Sequence, residues 1–162
     1  MYKTLTEEEI YELAMKFRLA ILKVRNNRGF DMRDRMSNFP GGCCDDASDL
    51  FAYYLYENYK INTKQEKGRY SDEEPENTTN HVWLVTDEDI IIDITADQFE
   101  FGRGLKNGVY VGSKNDFYMN LEDKEIYENY DITQNNRLWN DYNIIVSNIQ
   151  ECRIWSDQTS LF

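Results

Sequence analysis

Apolar positions keep a helical rhythm in the first sixty residues, shift to a strand-like alternation in the middle of the chain, and return to helical spacing near its end. Ile10, Leu13, Phe17, Ile21 and Val24 step along one face, and Thr6 followed by Glu9 makes a capping box with Glu7 and Glu8 in the first turn. This predicts an amphipathic helix over residues 7–25, stopped by Asn26, Asn27 and Gly29, with its stripe on the core. The charged stretch 29–38 reads as a loop or short helical turn. Its arginines, Arg33 and Arg35, with Arg28 just before, are expected in solvent, a substrate entrance being the alternative. Ala47, Leu50, Phe51, Tyr54 and Leu55 then predict a second helix from Cys44 to about Tyr59.

Residues 62–80 are polar, contain Pro75 and show no firm period, so they read as a long surface loop with at most a short strand near 67–70. His81, Trp83 and Val85 alternate with Val82, Leu84 and Thr86, as in a strand. Asp87, Glu88 and Asp89 form a polar connection, and Ile90 to Ile94 make a second β-branched run interrupted by Asp93. A hairpin is the simplest reading. Beyond it, residues 96–108 read as irregular, 109–111 as a third strand and 120–130 as a short helix. Leu138, Tyr142, Ile145 and Ile149 predict a last helix over 133–152, with Cys152 in its apolar company. The expected class is α+β, as one domain spanning 1–162.

Composition narrows the partners more than it alters the fold. The 162 residues are 41% hydrophobic and 14% aromatic with 12 tyrosines, enough for one core. A net charge of −12 argues against nucleic acid and against an anionic membrane surface, because both need clustered Lys and Arg. Peptide, protein or small amide substrates remain open, and the chain does not speak to oligomeric state. Three cysteines, two of them adjacent, give no secreted-type disulfide framework. No apolar leader or membrane-length run is visible, so a cytoplasmic setting is expected, with unconventional secretion as the alternative.

The candidate chemistry gathers at two places. Pro40 biases Phe39 away from helix, and Gly41 and Gly42 permit a tight turn, so Cys43 and Cys44 sit where a turn meets a helix N-terminus. Unpaired backbone N–H groups and the macrodipole there favour a thiolate and can hold a developing oxyanion. Asp45 and Asp46 work the other way, since their charges oppose ionisation of a neighbouring thiol. The single histidine, His81, opens the hairpin, and folding back brings Asp93 roughly opposite it. A carboxylate beside imidazole fixes its tautomer and stabilises the imidazolium, so thiol, base and orienting acid are all present. Asp97 is the rival for the acid's place.

The run F-P-x-G-x-C-x-x-A-S, followed by H-x-W-L and I-I-D-I-T-A-D-Q-F, resembles a group of small bacterial proteins with a papain-like core, within the papain-like and transglutaminase-like thiol enzymes. The resemblance covers residues 39–111. It implies a papain-like fold with N-terminal helices packed on a small antiparallel sheet, and it implies Cys44 as nucleophile, His81 as base and Asp93 as orienting acid. The activity it implies is thiol-dependent acyl transfer, with hydrolysis of a peptide or side-chain amide ahead of deamidation and transglutamination. Gln98 and Asn38 are candidates for an oxyanion donor, and Trp83 is a candidate shield for the pair. No cofactor is expected. Zinc has suitable ligand types in Cys43, Cys44, His81 and an aspartate, but adjacent cysteines seldom share a tetrahedral centre. The alternative function is an inactive papain-like binding or regulatory module that uses its acidic surface.

Overall fold

A computed structural model describes residues 4–71, 74 and 78–159, the side chains of 150–159 excepted. Pro75 and the Cys152 side chain therefore lie outside the described residues. The first helix, α1, spans Glu7–Asn26; Thr6 accepts from the Glu9 N–H, and the Glu9 carboxylate accepts from the Thr6 N–H, closing the capping box. A 3-10 turn, Arg35–Asn38, leads to the second helix, α2, over Cys44–Tyr59. The strands β1 (Thr63–Ser71), β2 (Thr78–Thr86), β3 (Ile91–Asp93), β4 (Tyr110–Gly112) and β5 (Glu122–Tyr127) form one antiparallel sheet in the order β4-β3-β2-β1-β5. Short helices α3 (Glu100–Arg103) and α4 (Asp116–Asn120) flank β4, and α5 covers Asn136–Thr159.

Strand alternation sends the two faces of the sheet into different packing. Leu84, Ile92 and Ile94 join the apolar stripes of α1, α2 and α5 in the main core. Trp83 and Ile91 join Tyr118 and Leu121 in a second cluster. Gly68, paired with His81 across β1 and β2, makes room for that cluster. A Cβ there would stand 2.7 Å from the Leu121 side chain and 3.1 Å from the Trp83 ring.

Two expectations fail. Residues 62–80 are mostly strand, because β1 spans Thr63–Ser71 and β2 begins at Thr78. The alternation is masked in the sequence because the buried positions of β1 are polar and satisfied. Gln65 donates to Asp49, and Glu66 accepts from Lys114 at 3.0 Å. Residues 120–130 are not a helix but contain β5, an exposed strand at the sheet edge. Of Leu121, Ile126 and Tyr127, whose spacing suggests the helix, only Leu121 is buried, and pairing with β1 satisfies the backbone of residues such as Ile126. The helical turns at 96–98, 100–103 and 106–108 account for the irregular stretch.

Candidate thiol–imidazole site

The turn before Cys44 follows its composition. Phe39 is extended (φ −48°, ψ 136°), as a residue before proline should be, and Gly42 takes φ +69°, where a side chain would be strained. Cys43 caps α2 without a side-chain hydrogen bond, and Cys44 is its first residue. The two thiols differ sharply. Cys43 is fully buried in the main core, and burial, with negative charge from Cys44 and Asp46, pushes its pKa up to about 12. Cys44 is partly exposed.

His81 and Asp93 come together in the interior. Pairing of Leu84 with Ile92 and Val85 with Ile91 sets the β2–β3 register. Continued along the strands, that register puts Asp93 across from Trp83 and His81 one diagonal step away, within side-chain reach. His81 Nε2 lies 2.6 Å from Asp93 Oδ2, and both side chains are essentially inaccessible to water. Asp93 also accepts from the Tyr118 hydroxyl at 2.8 Å, the Thr95 N–H at 3.0 Å and the Thr95 hydroxyl at 3.2 Å. Burial opposes ionisation of Asp93, but the His81 charge and these donors outweigh it and hold the carboxyl below the ordinary carboxylate range. Burial likewise opposes the imidazolium, yet Asp93, with a further contribution from Cys44, raises His81 to about 9.

With Asp93 ionised, Nε2 carries the proton of the shared bond, which leaves Nδ1 as the second ring nitrogen. Nδ1 is buried and closes no hydrogen bond. Cys44 nonetheless acts on the ring both as a charge and as a hydrogen-bonding group. The thiol thus acts on the imidazole ring, while Nδ1 has no hydrogen-bond partner.

The remaining candidates are placed as follows. Asp97 is held by Arg18 through bonds of 2.9 and 2.6 Å, and it is Asp93 that bonds His81. Arg18 also bonds the Ile94 carbonyl at 2.6 Å and stacks over the Phe39 ring, tying the segment after β3 to the cysteine turn. Gln98 follows Asp97, and its Nε2 is buried without a partner. Its neighbour Phe99 packs edge-on against His81 with centroids 4.7 Å apart. Asn38 is exposed at the end of the 3-10 turn and its carbonyl accepts from the Gly41 N–H. Trp83 lies 5.7 Å from the His81 ring and 5.0 Å from Tyr118, so it both screens the imidazole and fills the second cluster.

Four partners had not been anticipated. Thr95 was readable in the sequence, since a hydroxyl residue two places after an aspartate can fold back on it. Tyr118 comes from α4, 25 residues beyond Asp93, and no local pattern announces it. Arg35 and Arg137 meet the acids after Cys44, Arg137 from 91 residues away.

Among the described residues, no group of three or more His, Cys, Asp or Glu is arranged to hold a metal ion, and no helix is long and apolar enough to cross a membrane. The cavities lined by Tyr59 and Ile90, by Val85 and Ile91, and by Asp34 and Arg137 do not include Cys44 or His81. Comparison with protein-family models, curated proteins and solved structures finds no match to the chain.

Proposed function

We propose that the chain is a thiol-dependent acyl-transfer enzyme with a papain-like core, in which Cys44 is the nucleophile, His81 the proton carrier and Asp93 its orienting acid. The observation that carries this reading is the buried imidazole bonded through Nε2 to Asp93, with Nδ1 unpartnered and the thiol at the start of α2 acting on the ring. A purely structural histidine in so dry a place would be expected to use both ring nitrogens.

In the proposed reaction Nδ1 of His81 already holds the proton from Cys44, as a pKa of about 9 allows at neutral pH, and the thiolate attacks an amide carbonyl carbon. The carbonyl oxygen takes the negative charge beside the N–H groups at the start of α2. Collapse of this adduct breaks the C–N bond, and the proton on Nδ1 goes to the departing amine. Water, giving a proton back to Nδ1, then cleaves the thioester to an acid and restores the thiolate. Hydrolysis of a peptide or side-chain amide is the leading form; with an amine in place of water the product is a new amide.

The test follows iodoacetamide labelling of each cysteine by peptide mapping from about pH 4 to about pH 10, in the natural chain and in His81→Ala. Cys44 should label far faster than Cys43, and H81A should slow it about tenfold or more at neutral pH. Incubation with p-nitrophenyl acetate should then leave an acetyl thioester on Cys44 that H81A does not form. If Cys44 labels identically in both proteins and takes no acetyl group, the enzyme reading falls and a binding module becomes the better account.

A further inference from the structure

Cys44 is followed by two carboxylates that would oppose a thiolate if left bare, and both are matched by arginines. Asp45 receives two bonds of 3.1 Å from Arg35. Asp46, buried, receives bonds of 2.9 and 3.2 Å from Arg137, and Arg35 stands 2.8 Å from Oδ1, the oxygen that also takes the longer Arg137 bond. Arg35 arrives from the 3-10 turn ahead of the cysteine turn, and Arg137 from the first turn of α5, so three separate segments meet at the first turn of α2.

We propose that Arg137 and Arg35 are positioning residues for the Cys44 thiolate: they cancel the two charges that follow it and clamp the turn that presents it. The inference rests on the Cys44–His81 reading. Its geometry is that of planar guanidinium forks on carboxylates, which a lysine cannot reproduce. The charges concerned reach the neighbouring thiol, since Asp45, Asp46 and Arg35 all act on Cys43. The other groups facing Asp46 are Asp34, 3.0 Å from Arg137, Asp141, 3.8 Å from it, and Asp49 one turn along α2. Burial and a hydrogen bond shared with Asp34 raise the Asp141 pKa, which limits the negative charge in the cluster at neutral pH.

The experiment is the pH profile of Cys44 alkylation in Arg137→Gln, Arg137→Gln with Asp46→Asn, and His81→Ala, with folding checked by circular dichroism. R137Q should slow alkylation at neutral pH about tenfold, the effect of one pKa unit on the thiolate fraction. Adding D46N should restore the rate to within about twofold, because the unmatched charge is gone. A purely structural role for Arg137 would instead show as a loss of folded signal in R137Q that the circular dichroism registers alongside any change in labelling. An unchanged profile in R137Q, or a slowed one that D46N leaves slow, overturns the proposal. Should R137Q fail to fold, Arg35→Gln with and without Asp45→Asn makes the same test at the more exposed pair, with the same two outcomes deciding it. If H81A is also without effect, the underlying reading fails; if H81A slows labelling while R137Q does not, only this inference is lost.

Discussion

Two charged clusters sit on this sheet and show how differently the same chemistry behaves in and out of water. At the buried end, Asp93 is surrounded by His81, Tyr118 and Thr95. At the exposed edge, Arg69 of β1 joins Glu122 and Asp123 of β5 at 2.7 and 2.8 Å, and Lys64 stands 3.6 Å from Glu128. Distances do not separate the two. The surroundings do, because a charge removed from water depends on its partners, whereas an exposed one has solvent to fall back on. The buried cluster is therefore fixed in geometry and shifted in protonation, which suits chemistry, while the edge cluster holds surface contacts that water already screens.

The largest effect should come from Asp93→Ala, which leaves His81 buried and unmatched. Losing one partner of a buried pair typically costs about 3–5 kcal/mol, measured as a shift in the urea midpoint at unchanged slope. A loss below about 1 kcal/mol, the range of exposed pairs, would erase the contrast between the clusters. The pH dependence of the same unfolding curves sharpens it. The folded-state pKa of His81, about 9, lies above the ordinary 6.5. The stability it contributes is thus fully present below about pH 6.5, declines as the unfolded chain deprotonates, and is gone once pH passes the folded value. Asp93 acts in the opposite sense: its lowered pKa gives stability above the ordinary carboxylate range that is lost as pH falls through the folded value. D93A should flatten both limbs.

The two clusters were also unequally legible. His81, Asp93 and Cys44 stand in segments with strong local signals: a glycine turn into a helix, and two β-branched runs joined by acids. Hairpin geometry then supplied the His81–Asp93 approach. The helix α1 was readable because its capping box and apolar stripe agree, and α2 because a glycine turn precedes its stripe. Strands β1 and β5 were not, since β1 buries Gln65 and Glu66 rather than hydrophobes and β5 buries none of its residues. Their pairing is decided by each other and by β2, which are tertiary facts. The same holds for Tyr118, Arg35 and Arg137: each is joined to the site by a contact that closes only after the chain has folded.

Tyr118→Phe is the intermediate case. It keeps the ring packed on Trp83 and removes one donor from a carboxylate, a change worth about 1.5–3 kcal/mol for hydrogen bonds to charged groups. It should also weaken the pull that holds the Asp93 carboxyl down, so the acid limb of the stability curve moves toward higher pH. A stability change with no movement of that limb would mean that the hydroxyl serves packing alone.

Arg69→Ala should have the smallest effect of the set. Its side chain is 39% exposed, and those of Glu122 and Asp123 are 59% and 73% exposed, so water already screens both contacts. The expected cost is about 0.2–1 kcal/mol, shrinking as salt is raised, because screening at about 0.15 M acts over about 8 Å. Labelling of Cys44 should be untouched, since β5 meets β1 on the edge facing away from β2 and the site. A cost of several kcal/mol that persists in high salt would show that β5 is anchored by these ions rather than by its backbone ladder and by Leu121. In that event the edge of the sheet would belong with the buried cluster as a determinant of the fold.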